Sequence, residues 1–415
     1  MAKETASDVY KIVKAAKENG MSHLNITGGA FTGHDQVRET GEQFVNFSLC
    51  DYLRLSTDEP IRRAAADAVM ENGVYAAVSR TYMKLDIYRE AEEAVNDLFQ
   101  KPVIITPRTT LGHIAAIPVL VGKDDAVIID HQVHTSVRLA TDMLKGYGVH
   151  VEIIRHNRTD KLETRIQELQ KKKEKVWYMA DGVYSMYGDV LPAEDLLELL
   201  KRYPRFNLYV DDAHGMGWTG PRGTGHVLSR IPYHERMFLV TSLGKGFGSG
   251  GGVLVCPDED VREKILFTGS TLIFTSPPEP AVLGAVKYVA KGFASGDYDQ
   301  RRKRLAMQMD LFYNEAESLG LPVIDTTRTP IAFIAAGTPD MVTYLCRRML
   351  TRGYHITPGV YPATPWHNGG VRVVLSLYQD EDDIRNMLGI LNEEYLVMLK
   401  KYDTNPEAIL KHYKK

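Results

Sequence analysis

MFLVTSLGKGFGSGGGVLV, residues 237–255, holds two apolar runs, Met237–Val240 and Val253–Val255, on either side of a glycine-rich loop that carries one lysine, Lys245. Short apolar runs bounded by glycine read as strands buried on both faces. Upstream, LYVDDAHG at 208–215 repeats the pattern, with the run Leu208–Val210 followed by Asp211, Asp212 and His214. Further out, the runs Val103–Ile105, Ala126–Ile129, Val151–Ile154 and Val176–Met179 alternate with helical stripes such as Leu162, Ile166, Leu169 and Leu196, Leu197, Leu200. This alternation predicts an α/β fold, a mostly parallel sheet with helices on both faces. In such sheets a ligand sits beyond the carboxyl ends of the strands, so the polar residues after each run are the ones to question.

The organisation of the rest follows from that core. Residues 1–55 read as an N-terminal helical arm and linker, 56–300 as the large domain, and 301–415 as a smaller C-terminal α/β domain around TPIAFIAA, GYHITPGV and GVRVVLSL. With 44% hydrophobic and 25% charged residues and a formal charge of −3, the chain has a globular balance and lacks the broad positive field that nucleic acid requires. Cys50, Cys256 and Cys346 are far apart and suggest neither a disulfide framework nor a zinc cluster, which fits the cytoplasm. The first residues lack an apolar signal core, and no run is long enough to span a membrane.

Two strand ends carry chemistry. Asp211 follows one run and Lys245 lies in the loop after another, so both are expected at one sheet edge. A lysine among small hydroxyl residues and glycines, with a carboxylate nearby, suits an aromatic aldehyde cofactor that carries phosphate. The amine bonds the aldehyde carbon, the carboxylate pairs with the ring nitrogen, and hydroxyls and backbone N–H groups hold the phosphate. A nearby carboxylate keeps that nitrogen protonated, and the charged ring then draws in electrons left at a substrate carbon. Each residue also has a plainer reading by itself: Asp211 and His134 as caps, His214 as a buried hydrogen-bonded histidine, Lys245 and Arg372 as surface side chains. The glycines at 244, 246, 248 and 250 do not form a dinucleotide fingerprint, which would open the first strand-to-helix turn.

The segments VDDAHGMGWTGPRGTG (210–225) and TSLGKGFGSGGG (241–252) resemble those of the α-oxoamine synthases, the group that includes aminooxononanoate synthase and serine palmitoyltransferase. The likeness runs from NFSLCDYLRLS (46–56) to VRVVLSLYQDEDDI (371–384). It implies fold type I, pyridoxal 5'-phosphate as cofactor, and a homodimer with shared active sites. By position it makes Lys245 the Schiff-base lysine, Asp211 the ring-nitrogen partner, His214 a donor to the ring hydroxyl, and His134 the histidine stacked on the ring. Ser185 falls near the ring hydroxyl, Ser242 at the phosphate, and Thr275 and Ser276 at the phosphate of the partner subunit. Arg372 matches the arginine that grips the substrate carboxylate, which a planar guanidinium does with two hydrogen bonds.

The departures cluster around phosphate and substrate. Arg108, Thr109 and Thr110 replace a Ser-Gly-aromatic phosphate cradle, although a helix N-terminus there still suits an anion. Cys50 replaces an asparagine, Met83 and Lys84 replace Ser-Gly, and Val360 and Tyr361 replace an Arg-Pro before the Pro-Ala-Thr-Pro loop. The resemblance implies a decarboxylating condensation of an amino acid with an acyl thioester, carried by coenzyme A or an acyl carrier protein, to give an α-amino ketone. The added cations, with Arg108 and Cys50 beside the substrate, favour serine or cysteate and a sphingoid-like or sulfonolipid-like product. The alternative is a glycine- or alanine-using aminooxononanoate or autoinducer-type synthase. More remote are a metal-dependent hydrolase using His131, His134, Asp211, Asp212 and His214, which leaves Lys245 unused, and a non-catalytic scaffold.

Overall fold

The computed structural model describes residues 3–18 and 20–413. Two compact units result: Leu53–Tyr184 with Val190–Arg302, and the described residues of Met1–Tyr52, Ser185–Asp189 and Lys303–Lys415.

The first unit is built on seven strands, β1 (Val103–Thr106), β2 (Ala126–Asp130), β3 (His150–Ile154), β4 (Val176–Asp181), β5 (Phe206–Asp211), β6 (Met237–Ser242) and β7 (Gly252–Val255). Each apolar run read as a strand is one, extended by a residue or two. They form one sheet in the order β1-β7-β6-β5-β4-β2-β3. From β3 to β6 every neighbouring pair is parallel, whereas β7 runs antiparallel to both β1 and β6. Parallel pairs need long crossovers, which the intervening helices supply. The β6–β7 pair closes through the loop at 243–251, and that loop carries Lys245.

Strands β4, β5 and β6 bury every residue, as expected of a sheet covered on both faces. On one face Val127, Met179, Phe238 and Leu254 pack with Ala116 and Ile117 of helix α1 (Thr109–Leu120) and with Val137 and Leu144 of helix α2 (Thr135–Gly146). Each large apolar side chain removed from water there contributes about 1.5–3 kcal/mol. Gly252 is required by a close approach. A Cβ at that position would lie 2.7 Å from Thr109 Cα, so only glycine lets the start of α1 rest on β7.

The second unit has an antiparallel sheet in which Gly369–Val374 lies between Ile331–Gly337 and Thr357–Gly359. Arg372 stands on the middle strand, opposite Phe333 on one side and Thr357 on the other. The helix Glu381–Lys401 opens with a capping box between Asp380 and Asp383. Among the described residues no helix is long and apolar enough to cross a membrane.

Candidate active site

At the carboxyl end of the large sheet lies a cavity of about 220 Å³ in the first unit. Its wall includes seven residues singled out in the sequence, Arg108, Thr109, Thr110, His134, Asp211, His214 and Lys245, together with Asp181 and Ser136. Parallel register explains much of this convergence, because β4, β5 and β6 all end at the same edge.

Asp211, the last residue of β5, is held from two directions. His113 Nε2 lies 2.9 Å from its Oδ2, and the Ala213 N–H donates to Oδ1 at 3.1 Å. The other ring nitrogen of His113, Nδ1, lies 2.7 Å from the Tyr209 hydroxyl. With that hydroxyl donating to Nδ1, the Nε2–H is left to donate to Asp211. Burial works to raise the pKa of Asp211. The charge and hydrogen bond of His113 oppose it, helped by Lys245 and His134, and the carboxyl is held below its ordinary value.

Asp181 ends β4 and is the register partner of Asp211 on the adjacent strand. Burial raises its pKa well above the carboxylate range, and the charge of Asp211 raises it further. Two buried carboxyls side by side thus share one negative charge, which resides on Asp211.

His134 is the N-cap of α2, and its Nδ1 accepts from the Ser136 N–H at 3.3 Å. Nδ1 is therefore an acceptor, and the neutral ring carries its proton on Nε2. Burial lowers the pKa of His134 against the opposing charge of Asp211, so the neutral ring is favoured.

Lys245 is half-buried, and its carbonyl accepts from the Gly248 N–H at 2.8 Å, which folds the loop back on itself. Gly248 has φ +65°, and a Cβ there would lie 2.4 Å from that of Leu55, so glycine alone permits this turn. Across the cavity, α1 begins at Thr109, and the side chain of its N-cap residue, Arg108, makes no capping hydrogen bond. The first-turn N–H groups of Thr109 and Thr110 therefore face the cavity wall without a side-chain cap, an arrangement suited to an anion. Arg108 itself is exposed and donates to the Pro107 carbonyl at 2.6 Å. His214 is buried, and its carbonyl accepts from Trp218 Nε1 at 2.7 Å.

The remaining expected residues sit elsewhere. Ser242 is buried at the end of β6, accepts from the Gly244 N–H at 3.2 Å, and is not part of the cavity wall. Thr275 donates to the Thr271 carbonyl, and Ser276 accepts from the Tyr75 hydroxyl. Ser185, Cys50 and Arg372 belong to the second unit, where Arg372 Nε donates to the Ser185 carbonyl at 2.6 Å and Nη2 lies 3.8 Å from Cys50 Sγ. Among the described residues no three His, Cys, Asp or Glu side chains are gathered to hold a metal ion.

His113 and Asp181 are absent from the sequence reading. A signal existed for each: His113 is the one titratable residue in the otherwise apolar TTLGHIAAIPVL, and Asp181 is an acid directly after a strand run, as Asp211 is.

The sequence profile of the aminotransferase class I and II family matches residues 11–388. The 8-amino-7-oxononanoate synthase of Dechloromonas aromatica is 29% identical over 391 residues, which cover 89% of this chain and 98% of that protein. That of Alkaliphilus metalliredigens is 27% identical over 344 residues, 82% of this chain and 85% of the relative. In fold, the serine palmitoyltransferase of S. paucimobilis superposes with a TM-score of 0.87 at 19% identity, over 96% of this chain and 99% of that one.

The cavity fits pyridoxal 5'-phosphate, the cofactor of this family. Lys245 offers the amine for its aldehyde, Asp211 the carboxylate for its ring nitrogen, and the start of α1 a seat for its phosphate. The chain belongs to the aminotransferase class I and II family and is a pyridoxal-phosphate-dependent transferase of fold type I.

Proposed function

We propose that this enzyme is an α-oxoamine synthase, joining an amino acid to an acyl thioester with loss of carbon dioxide to give an α-amino ketone. The observation that carries the reading is the cavity that gathers Lys245, Asp211 and His134, in a chain whose full-length relatives bear the name of such synthases. The bound cofactor supplies an electron sink for the substrate's Cα. Asp211 keeps the ring nitrogen protonated, the more firmly because its own pKa is held low. Lys245 Nζ holds the cofactor and, once displaced by the substrate amine, takes the Cα proton. His134, neutral and capped in place, offers a flat face for the ring and an Nε2–H toward the reacting groups. Thr109 and Thr110 hold the phosphate, Ser242 supports that end of the site, and His214 and Ser185 serve the ring hydroxyl.

Arg372 is the holder of the substrate carboxylate. It is 8% exposed, and with Nε committed to the Ser185 carbonyl its terminal nitrogens are oriented for a planar anion. Orientation of this kind is worth about 7–11 kcal/mol of barrier in the best cases. Cys50, beside Nη2, shapes the substrate side of the same group.

Within the class, the amino acid is serine or cysteate and the thioester medium or long in chain, a reading supported by Arg108 at the cavity wall. A second reading, 8-amino-7-oxononanoate synthesis from a small amino acid, is favoured by the names of the two relatives. Screening amino acids against coenzyme A and acyl carrier protein thioesters separates them. Serine or cysteate should give the highest kcat/KM, and a far higher value for glycine or alanine would overturn the first reading.

The enzyme acts as a homodimer in which Thr275 and Ser276 reach the partner's phosphate. Supporting this, Tyr82, Met83 and Phe274 are 80%, 66% and 83% exposed. Their segments adjoin through the Tyr75–Ser276 bond and through Ser79 Oγ donating to the Ile273 carbonyl. An apolar surface of this kind calls for a cover. Sedimentation should show a dimer, and a fully active monomer would refute the shared site.

A further inference from the structure

We infer that Asp181 is a positioning residue that sets the ring of His134 at the cavity wall, a role separate from that of its neighbour Asp211. The inference rests on the cofactor reading above.

The argument begins with register. Asp181 and Asp211 are paired residues at the ends of adjacent parallel strands, both line the cavity, and they are 2% and 4% exposed. They differ in what they hold. Asp211 is bonded by His113 and by the Ala213 N–H, which aims a charged carboxylate into the cavity. Asp181 Oδ1 accepts instead from the backbone N–H of His134, at 3.1 Å.

His134 is thereby pinned twice. Asp181 fixes its main chain, and the Ser136 N–H fixes its ring through Nδ1. An N-cap residue has backbone angles outside the helix and little local restraint, so a second bond decides where its ring points. The bond needs an acceptor oxygen and no charge. A neutral side chain suits the site better, because a second anion beside Asp211 would compete with it for the cations there. Burial and the charge of Asp211 favour that neutral form.

Substitution separates this role from a chemical one. In the holoenzyme, Asp181→Ala removes the acceptor, and Asp181→Asn keeps one without an ionisable proton. Losing one hydrogen bond of this sort should lower kcat about three- to tenfold, the cost of about 0.5–1.5 kcal/mol. The visible circular dichroism of the bound cofactor, which reports the asymmetry of its surroundings, should weaken in parallel. Asp181→Asn should restore most of both losses, with the pH profile of kcat unmoved. An Asn variant as impaired as the Ala variant would mean that the acid itself is needed and would overturn the inference. An Ala variant with native dichroism and kcat would do the same. Failure of the underlying cofactor reading would look different: the wild-type protein would show no visible cofactor band.

Discussion

His113 Nε2 lies 2.9 Å from Asp211 Oδ2 at the end of β5, the fourth of seven strands in the sheet, and both side chains are at most 5% exposed. The histidine comes from α1, whose N-terminus is also the proposed phosphate seat. One helix therefore serves both ends of the cofactor, and displacing it should disturb ring and phosphate together.

Removing His113 leaves Asp211 buried without the group that holds its pKa down. Its pKa should rise, and the acid side of the kcat profile should move to higher pH. In wild type the depressed pKa adds stability above the unfolded value of about 3.9, lost as pH falls through the folded one. His113→Ala should also lower stability by about 1.5–3 kcal/mol, the usual cost of stranding a buried charged partner. A pH profile and melting temperature identical to wild type would refute the pairing.

Lys245→Ala should abolish turnover and the borohydride-sensitive visible absorbance while far-ultraviolet circular dichroism stays native. Asp211→Asn should keep bound cofactor but lose most activity, since an amide does not hold the ring nitrogen charged. A reducible band in the first variant, or a near-native rate in the second, would contradict these assignments.

Gly252→Ala puts a methyl 2.7 Å from Thr109 Cα and 2.8 Å from Thr109 N, both backbone atoms with little room to yield. Overpacking of this kind costs about 1–3 kcal/mol. Because the start of α1 is what shifts, the Kd for pyridoxal phosphate should rise along with the loss of thermal stability. Equilibrium dialysis showing an unchanged Kd would argue against α1 as the phosphate seat.

Asp212 is fully buried with its Oδ2 accepting from the Val227 N–H at 3.0 Å. Burial, opposed by that bond and reinforced by the charge of Asp211, pushes its pKa up to about 8. A raised folded-state pKa contributes stability that is complete below the unfolded value of about 3.9 and is lost as pH climbs toward the folded one. Asp212→Asn should therefore flatten the decline in stability between about pH 5 and about pH 8 in urea titrations. An unchanged slope would locate that decline elsewhere.

Arg108→Ala should raise KM for the amino acid more than KM for the thioester if the guanidinium recognises a polar or acidic substrate side chain. Steady-state kinetics with each substrate varied in turn would decide it, and an equal rise in both would remove Arg108 from amino-acid recognition.

Local pattern alone determined the seven strands, the positions of Asp211 and Lys245 after two of them, and the start of a helix at Thr109. Apolar runs and glycine breaks encode burial and turning within a few residues, and that information is carried by neighbours in sequence. Tertiary structure alone decided which polar residues meet. His113 and Asp211 are 98 residues apart, and Arg372 and Ser185 are 187 apart. Asp181 faces Asp211 only because β4 lies beside β5 in parallel register. Strand order and register are set by packing across the whole sheet, where no single stretch holds the needed terms. The same holds for charge: Asp181 and Asp211 are the same residue type after similar runs, yet one stays protonated and the other ionised, because His113 reaches only one of them.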